Sequence, residues 1–488
     1  MGIELILDMT RDAFGERIAL GGRHDGRTFA DLSRIADGGA TLLREAEAKS
    51  VVHIGLNGPI LPSLLFAAAR AGLPLTPLNY RLSAPQIAAL IAELDHPYVV
   101  ADETFTPQVA ANTRSEDWIA LASAAAPAPP GDGADDPAVV LFTSGTTAKP
   151  KGVLLRHAHL LSYVLETVEF GAADPSDAVL VSVPPYHIAG VGSVLSNLYA
   201  GRRMTYLPDF TARGWLDLVR EDAVTHAMVV PTMLARIIDE LAGRQADAPS
   251  LRSIAYGGAR MPPTVLRAAL AAFPDTDFVN AYGLTETSST IAVLGPEDHR
   301  AALAGDAAAI DRLGSVGRMV PGVECEIRGA DGTPLPAGEV GEIWVRGAQV
   351  SGEYRGLGSV LDAAGWFPTR DQGRIDADGY LFVHGRSDDT IIRGGENIAP
   401  AEIEDVLVEH PAVGQAAVLG LPDEEWGERI VAVVVPAGDT VPDPGDLRAF
   451  VRARLRSSRT PDDVVFQPDL PYTATGKLLR RELAQRLT

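Results

Sequence analysis

The feature that most constrains the fold is a regular alternation of amphipathic segments with short apolar runs. Residues 29–48 and 86–95 have the spacing of helices, whereas residues 51–56 form a short apolar run typical of a buried strand. Strands that alternate with helices predict a parallel sheet whose faces are covered by helices. The alternation resumes at residue 138 and continues to about residue 300, beyond a loop rich in Pro, Gly, Ala and Asp at 124–137.

The last third of the chain has a different pattern. Short β-rich runs punctuated by turns occupy residues 314–385 and predict a small β-barrel or sheet. After residue 385 the chain returns to mixed α and β patterns for about 100 residues, a length that suits a separate domain.

The overall charge and composition limit the kind of partner and compartment. The 488 residues carry a formal net charge of −22, the wrong sign for binding nucleic acid or an anionic membrane. No apolar run reaches the roughly 18 residues that span a bilayer, because Arg70 interrupts the best candidate. The N-terminus lacks the basic region and cleavage site of a secretory signal. Cys325 is the only cysteine, which excludes an internal disulfide and a cysteine-based zinc site. We therefore expect a cytoplasmic protein.

Lysine is rare and unevenly placed. Four of the 42 basic residues are lysine, at positions 49, 149, 151 and 477. A lysine is a compact, flexible point charge, whereas an arginine is a rigid fork. Positions that keep lysine in so arginine-rich a chain therefore suggest a need for a point charge. Two of the four lie in one segment, "LFTSGTTAKPKGV" at 141–153.

This segment has the composition of a phosphate-binding loop but does not match the Walker pattern. That pattern needs a second glycine and a Ser or Thr after its lysine, and Pro150 and Gly152 stand at those positions. Backbone N–H groups and hydroxyls of a small-residue loop can still bind phosphate oxygens, with lysine adding charge. Taken alone, the segment fits a phosphate loop and a polar surface turn about equally well.

Further motifs follow in a fixed order. They are "AGLPLTPLNYRLS" (71–83), "PPYHIAG" (184–190), "YGGARMP" (256–262), "NAYGLTET" (280–287), "PTRD" (368–371), "GRSDDTIIRGGENIAPAEIE" (385–404) and "PYTATGKLLRREL" (471–483). Together with the segment at 141–153, this ordered set resembles the adenylate-forming superfamily of acyl-CoA synthetases, peptide-synthetase adenylation domains and firefly-type luciferases. The resemblance spans essentially the whole chain and is closest to the acyl-CoA synthetases.

The resemblance implies an α/β fold in two domains. A large N-terminal domain at 1–387 would contain two α/β sheet subdomains plus a small β-barrel and would bind AMP and the acyl group. A small, mobile α+β C-terminal domain at 388–488 would act as a lid that carries the catalytic lysine and the thiol-tunnel loop. Asp388 stands at the family's hinge position.

The matched motifs also imply roles for individual residues. Nucleotide-binding positions are Ser144, Gly145, Thr146, Thr147, Lys151, Gly257, Gly258, Ala259, Asn280, Ala281, Tyr282, Gly283, Asp371, Val383 and Arg386. Catalytic positions are Thr143, His187, Thr285, Glu286 and Lys477. The thiol-tunnel positions, which would contact CoA, are Arg393, Gly394 and Gly395.

Each role has a chemical reason. Tyr282 offers a flat face on which adenine can stack, and Asp371 can accept hydrogen bonds from both ribose hydroxyls. Glu286 supplies a carboxylate for Mg²⁺, which takes only one or two protein ligands. Lys477 would stabilise the negative charge that develops when a carboxylate attacks the α-phosphate. The resemblance gives His187 a gating role in the acyl pocket.

We therefore expect an AMP-forming acyl-CoA synthetase that uses ATP, Mg²⁺ and coenzyme A. It would convert a small-molecule carboxylic acid to an acyl-adenylate with release of pyrophosphate, and then transfer the acyl group to CoA. Alternatives left open are a stand-alone adenylation enzyme that loads a separate carrier protein, and an enzyme competent in only one half-reaction. A luciferase-like oxygenase and a non-enzymatic ATP-binding protein fit less well. We expect a monomer or homodimer, no nucleic-acid partner and no membrane span.

Four positions depart from the family pattern. Ala148 and Arg370 stand where glycine is typical, Tyr186 where phenylalanine is common, and Arg393 where a small or polar residue is frequent. Ala148 disfavours left-handed backbone, so we expect a loop that is stiffer or slower to close. Arg370 fits either a phosphate contact or a solvent-exposed position, and we favour the solvent-exposed one.

The acid itself cannot be deduced from these motifs. Small residues follow His187, namely Ala189, Gly190, Gly192 and Ser193. If they line the acyl pocket, the pocket is roomy and favours a bulky, cyclic or medium-chain acid over acetate.

Overall fold

A computed structural model of the chain describes residues 2–106, 109–127, 137–143, 150–393, 396–423, 426–438, 440–473 and 477–487. Up to residue 127 these residues form the elements that follow, in chain order. They are α1 (Glu4–Phe14), β1 (Ile18–Leu20), β2 (Arg27–Thr28), α2 (Phe29–Glu45), β3 (Ser50–Ile54), α3 (Ile60–Ala71), β4 (Leu75–Pro77), α4 (Ala84–Ala92), β5 (Pro97–Ala101), β6 (Thr113–Arg114) and α5 (Ser115–Ala124).

The middle of the chain continues the alternation of strands and helices. Its elements are β7 (Pro137–Thr143), β8 (Lys151–Arg156), α6 (His157–Thr167), β9 (Ala178–Val181), α7 (Ile188–Tyr199), β10 (Arg203–Tyr206), α8 (Ala212–Glu221), β11 (His226–Val229), α9 (Pro231–Leu241), β12 (Ser253–Gly257), α10 (Pro263–Ala272), β13 (Asp277–Leu284), a 3₁₀ turn (Thr285–Thr287), β14 (Ser289–Leu294), α11 (Pro296–Leu303), α12 (Ala307–Arg312) and β15 (Arg318–Met319).

The last part is first β-rich and then mixed. Its elements are β16 (Val323–Arg328), β17 (Gly341–Gly347), β18 (Glu353–Tyr354), β19 (Gly358–Ser359), β20 (Phe367–Ile375), β21 (Leu381–Arg386), a 3₁₀ turn (Ser387–Asp389), β22 (Ile391–Arg393), β23 (Glu396–Ile398), α13 (Pro400–Val408), β24 (Val413–Asp423), β25 (Gly427–Pro436), α14 (Pro444–Arg452), a 3₁₀ turn (Ser457–Arg459), β26 (Asp463–Phe466) and α15 (Arg480–Leu487).

Two large sheets dominate the N-terminal part, which confirms the predicted α/β class. One has the strand order β15-β14-β13-β12-β11-β9-β10-β1-β2, and the other has the order β19-β18-β8-β7-β4-β3-β5-β6. The strands from β13 to β1 in the first sheet, and from β7 to β6 in the second, run parallel. Antiparallel strands extend both sheets at their edges, where no crossover helix is needed.

The predicted β-barrel takes the form of a four-stranded antiparallel sheet. Its strand order is β16-β17-β20-β21, and its inner face buries Ile343, Val345 and Phe367. The short strand β18, inserted between β17 and β20, leaves this sheet and pairs with β8 through Tyr354 and Val153. The small sheet is thereby tied to the eight-stranded one.

The C-terminal part forms a separate α+β unit. Strands β24, β25 and β26 make one sheet, and residues such as Ile403, Val418 and Leu447 form its own buried core. The last strand of the larger part ends at Arg386, and β22 begins at Ile391. The boundary predicted at residue 388 falls between these two strands and stays a prediction.

A strand at the end of the segment at 141–153 was not predicted from the sequence. Lys151–Arg156 pairs antiparallel with β7, and the next helix begins at His157. Gly152, Val153 and Leu155 are buried, and the other residues of this strand are partly exposed. Residues 141–143 and 151–153 of the segment therefore lie in two neighbouring strands.

Helix α3, which contains the apolar run interrupted by Arg70, is a core helix. Arg70 is buried at its C-terminal end and forms ion pairs of 2.6 Å with Asp8 and 2.7 Å with Asp37. A buried charge needs such partners. Within the described ranges, no helix combines the length and the apolar character needed to cross a bilayer.

Candidate active site

The predicted nucleotide residues gather at the carboxyl edge of the nine-stranded sheet. Strands β12 and β13 run parallel with Gly257 opposite Ala281, so the residues that end both strands lie side by side. A Cβ on Gly257 would collide with the Ala281 carbonyl, and Gly258 has φ +81°. Glycine is thus required here for close strand pairing and for the turn that follows. Crevices at the carboxyl ends of parallel strands are common ligand sites in α/β sheets.

Neighbouring positions follow from the same strands. Asn280 donates a hydrogen bond of 3.3 Å from Nδ2 to the Ser315 carbonyl, which ties β13 to the chain that leads into β15. Ala259 comes directly after the turn at Gly258, and Gly283 lies where a side chain would collide with the Ser289 backbone. These residues shape the edge of the sheet through their backbone.

A buried carboxylate stands at the centre of the site. Asp371 is 5% exposed, and its two oxygens have different partners. The Tyr282 hydroxyl donates to Oδ2 over 2.6 Å, and Nη1 of Arg386 lies 3.2 Å from Oδ1. Arg386 stands directly opposite Asp371 in the β20–β21 pairing. Thr369 accepts a hydrogen bond of 3.1 Å from the Asp371 N–H and so holds the backbone of the carboxylate in place.

The charge state of this carboxylate depends on its neighbours. Burial raises the pKa of Asp371, and the positive charge of Arg386, the Tyr282 hydroxyl and the positive charge of Lys477 oppose that shift. Burial also raises the pKa of Tyr282, with the Asp371 carboxylate adding to the effect. Since the charge of Lys477 acts on Asp371, the C-terminal lysine faces the same site as the carboxylate.

Two hydrogen bonds hold Lys477 against Thr473. The Lys477 N–H donates to Oγ1 of Thr473 over 3.0 Å, and the Thr473 N–H donates to the Lys477 carbonyl over 2.8 Å. The backbone from which the Lys477 side chain extends is therefore fixed. A second contact joins the two parts of the chain, because the Arg260 guanidinium forms an ion pair with Asp405 of α13.

The second carboxylate of the site belongs to Glu286. It lies in the 3₁₀ turn that begins at Thr285 directly after β13, and its Oε1 accepts a hydrogen bond of 2.8 Å from the Tyr354 hydroxyl. The Lys151 ammonium lies 5.8 Å from the centre of the Tyr354 ring. Burial and the Glu286 carboxylate raise the pKa of Tyr354, and the charges of Arg386 and Arg370 oppose that shift.

The residues around Glu286 fit a magnesium ion. Its second oxygen, Oε2, accepts no hydrogen bond from the part of the chain that the structure describes. Nor do the described residues bring three His, Cys, Asp or Glu side chains together as a metal site. A cation that takes one protein carboxylate and completes its shell with phosphate and water suits this arrangement.

The lysine-rich segment lies at one end of the β7–β8 hairpin. Thr143 and Lys151 stand directly opposite each other, and Oγ1 of Thr143 donates to the Lys151 carbonyl over 3.4 Å. The predicted phosphate-loop residues Ser144, Gly145, Thr146 and Thr147, and the departure at Ala148, lie outside the described residues.

His187 is the N-cap residue of α7 and makes no side-chain cap hydrogen bond. Burial keeps its imidazole ring neutral. Burial lowers its pKa to about 4, and its ring lies 4.5 Å from that of Tyr186, which in turn packs edge-on against Tyr80. The small residues after it have a packing reason. A Cβ on Gly190 would lie 3.0 Å from the Pro184 carbonyl oxygen, and one on Gly192 would lie 3.1 Å from Oγ of Ser289. Close packing is therefore one reason for glycine at these two positions, and the size of the acid stays a prediction.

The predicted thiol-tunnel arginine is engaged within the C-terminal unit. Nη2 of Arg393 lies 2.6 Å from Oδ1 of Asp462, and its guanidinium lies 5.2 Å from the centre of the Trp426 ring. Gly394 and Gly395 lie outside the described residues. Val383 in β21 pairs with Gly373 in β20 and packs on the core of the four-stranded sheet. It lies three residues before Arg386 on the same strand.

Sequence reasoning missed two parts of this site. Tyr354 lies in a two-residue strand whose surroundings give no local signal, and it reaches Glu286 only because β18 crosses to the eight-stranded sheet. The Arg260–Asp405 pair joins residues from the two parts of the chain, a contact that no local pattern indicates.

Comparison with known proteins accounts for this arrangement. The family model described as AMP-binding enzyme matches residues 7–355, and the model described as AMP-binding enzyme C-terminal domain matches residues 402–477. The chain belongs to the AMP-binding enzyme family. The resemblance drawn from the ordered motifs is confirmed.

Curated relatives of this AMP-binding enzyme match almost its whole length. A fatty acid–[acyl-carrier-protein] ligase of Streptomyces coeruleorubidus is 34% identical and is aligned over 94% of this chain and 91% of its own. An indoleacetate–CoA ligase of Aromatoleum aromaticum is 33% identical over 94% and 92%. A feruloyl-CoA synthase of an Amycolatopsis species is 35% identical over 95% of each chain.

Solved structures agree with the fold. The o-succinylbenzoate CoA synthetase of Bacillus subtilis, in complex with its acyl-adenylate intermediate, gives a TM-score of 0.85 at 28% identity and covers 98% of this chain and 97% of its own. ATP-bound MatB of Rhodopseudomonas palustris gives a TM-score of 0.88 at 27% identity over 100% and 99%. The predicted fold of two α/β sheets with a separate C-terminal domain is confirmed.

Proposed function

We propose that this AMP-binding enzyme is an AMP-forming acyl-CoA synthetase. It activates a carboxylic acid with MgATP to an acyl-adenylate and pyrophosphate, and then transfers the acyl group to the thiol of CoA with release of AMP. The observation that carries the proposal is the gathering of the Asp371 carboxylate, its partners Tyr282 and Arg386, and the charge of Lys477 at one edge of the nine-stranded sheet.

In the first half-reaction these groups position the reactants and stabilise charge. Asp371 accepts hydrogen bonds from the ribose hydroxyls, while Arg386 holds its other side and opposes the effect of burial on the carboxylate. Lys477 reaches the α-phosphate and offsets the charge that builds up as the acid's carboxylate attacks it. Lys151 supports the polyphosphate, and Tyr282 presents its ring to the adenine. Glu286 is the residue that would hold Mg²⁺, which when bound neutralises phosphate charge.

In the second half-reaction the C-terminal unit moves. Rotation at Asp388 withdraws Lys477 and presents the loop after Arg393 to the pantetheine arm. The Arg260–Asp405 pair joins the two parts while Lys477 faces Asp371, so this rotation must break it. The gating role of His187 and the domain boundary at 388 belong to the same proposal.

The first test is exchange of labelled pyrophosphate into ATP over a panel of acids. The relatives named above justify fatty acids, arylacetic acids and hydroxycinnamic acids as its members. An acid that supports exchange is then offered with CoA, and the thioester is detected by mass. A protein that exchanges pyrophosphate with no acid in this panel would contradict the proposal.

A carrier protein is the second candidate for the acyl acceptor. The relative named as a fatty acid–[acyl-carrier-protein] ligase matches this chain over 94% of its length, and loading of a carrier uses the same adenylate. Parallel reactions with CoA and with a phosphopantetheinylated carrier protein separate the two. If the acyl group is transferred faster to the carrier protein than to CoA at equal thiol concentration, the carrier protein is the acceptor and CoA is not.

We infer a cytoplasmic location, with a monomer or homodimer as the expected state. The single cysteine of the chain supports the cytoplasmic location. Fractionation of cells that express the protein at native level tests the location.

A further inference from the structure

Arg370 has a backbone conformation that arginine rarely adopts. Its φ is +64°, a left-handed value that is unstrained for glycine and disfavoured for residues with a Cβ. The register between β17 and β20 shifts at this point, so that Thr369, Arg370 and Asp371 stand opposite Ile343 alone. The bulge aims the buried Asp371 inward, and it is the reason why a left-handed residue is needed beside it.

Among the described residues, the Arg370 side chain has no polar partner within hydrogen-bond distance. It is 64% exposed, and its closest ionic partner is Oε1 of Glu342 at 3.9 Å from Nε. That distance is too long for a hydrogen bond. Arg346, on the neighbouring strand, instead binds both oxygens of Glu324 at 2.9 and 2.7 Å. Arg370 therefore keeps its donors available to a ligand.

Arg370 directly precedes Asp371, the proposed ribose ligand. Its positive charge opposes the raising effect of burial on the pKa of the Tyr354 hydroxyl. That hydroxyl is bound to Glu286, and the Lys151 ammonium lies 5.8 Å from the same ring. Lys151 thus lies beside the Tyr354 ring, and Arg370 adds a second positive charge that acts on the Tyr354 hydroxyl, in a chain whose net charge is −22.

We propose that Arg370 binds the β- and γ-phosphates of ATP, and the pyrophosphate formed from them. This inference rests on the proposed function. Glycine would adopt the backbone conformation of Arg370 without strain. An arginine at this strained position therefore indicates that its side chain has a function beyond stabilising the fold. A guanidinium fork matches two phosphate oxygens at once, and the AMP part of the nucleotide stays with Asp371 and Arg386.

The deciding variant is Arg370→Gly, because glycine removes the side chain and relieves the backbone. We expect the dissociation constants of ATP and of pyrophosphate, measured by calorimetry with Mg²⁺, to rise about tenfold. The dissociation constant of AMP should stay within about twofold, and the melting temperature should stay equal or rise. The matched control is Arg346→Gln, which removes one positive charge from the same sheet and should leave all three constants unchanged.

Several results would overturn the inference. Unchanged ATP affinity, or an equal loss for AMP, would remove the assignment to the β- and γ-phosphates. A lower melting temperature would show that the arginine serves the fold. Arg370→Lys guards against that case, since it keeps the charge and should recover part of the ATP affinity but not all of it. If the unaltered chain exchanges pyrophosphate normally while these variants bind ATP equally well, only this inference fails. If the unaltered chain does not exchange, the proposed function fails as well.

Discussion

The hydroxyl of Tyr282 donates a hydrogen bond of 2.6 Å to Oδ2 of Asp371, across a sequence separation of 89 residues. The pair joins two different sheets, because Tyr282 lies in β13 and Asp371 in β20. A buried carboxylate is costly unless it is hydrogen-bonded, so this bond helps to keep Asp371 ionised and fixed in the proposed nucleotide site.

Tyr282→Phe should weaken ATP binding. Loss of a hydrogen bond to a charged group costs about 1.5–3 kcal/mol, so we expect KM for ATP in pyrophosphate exchange to rise about 10- to 100-fold. The KM of the acid should stay unchanged. The matched control is Tyr256→Phe, which loses a buried hydrogen bond of 2.9 Å to His299 away from Asp371. Equal losses in the two variants would show a general effect on stability.

Lys477→Ala should separate the two half-reactions. Acyl-adenylate formation should fall at least about 100-fold, because a preorganised charge at the phosphate is lost. Transfer from supplied acyl-adenylate to CoA should be nearly unchanged, since the proposed rotation withdraws this lysine. Lys49→Ala, on the exposed surface, serves as control. A parallel loss in both half-reactions would contradict the rotation.

Reversal of the charge at Arg260 should weaken the first half-reaction only. An exposed ion pair contributes up to about 1 kcal/mol, so Arg260→Glu should slow adenylate formation by at most about fivefold. The double variant Arg260→Glu with Asp405→Arg should restore the rate, because the pair is re-formed with opposite signs. Single-turnover quench experiments give both rates. Failure of the double variant to recover would mean that the contact does not hold the two parts together.

The buried histidine predicts a stability that falls in acid. An unfolded histidine takes up its proton near pH 6.5, whereas burial lowers the pKa of His187 to about 4. The unfolded state therefore binds more protons between these values, and stability is lost as pH falls from about 6.5 to about 4. This one group contributes about 2 kcal/mol of that loss at pH 5. Urea unfolding should show a weaker pH dependence for His187→Gln than for the unaltered chain.

His24→Gln is the control for that measurement. Because His24 is exposed, this substitution should leave the pH dependence of the free energy of unfolding unchanged. The same pKa means that His187 is uncharged at pH 7. Adenylate formation should therefore show no titration of this residue between about pH 6 and 8.

Several conclusions needed only the sequence. Alternating strand and helix patterns predicted the α/β class, because hydrophobic periodicity is a local property of each element. The order of the motifs predicted the family. The segment at 141–153 alone was equally compatible with a phosphate-binding loop and with a polar surface turn. Locally, the strand Lys151–Arg156 was missed, since its short apolar run is equally compatible with the start of a helix.

The tertiary structure alone decided which of these residues act together. Asp371 meets Arg386 because β20 pairs with β21, and it meets Tyr282 because β20 lies next to β13 of another sheet. Tyr354 meets Glu286 because β18 changes sheets. The left-handed backbone of Arg370 likewise follows from the bulge between β17 and β20. Such contacts depend on strand pairing between distant segments, whose register no short stretch of sequence encodes. The sequence therefore determined the family and its chemistry, and the fold decided the partners on which that chemistry depends.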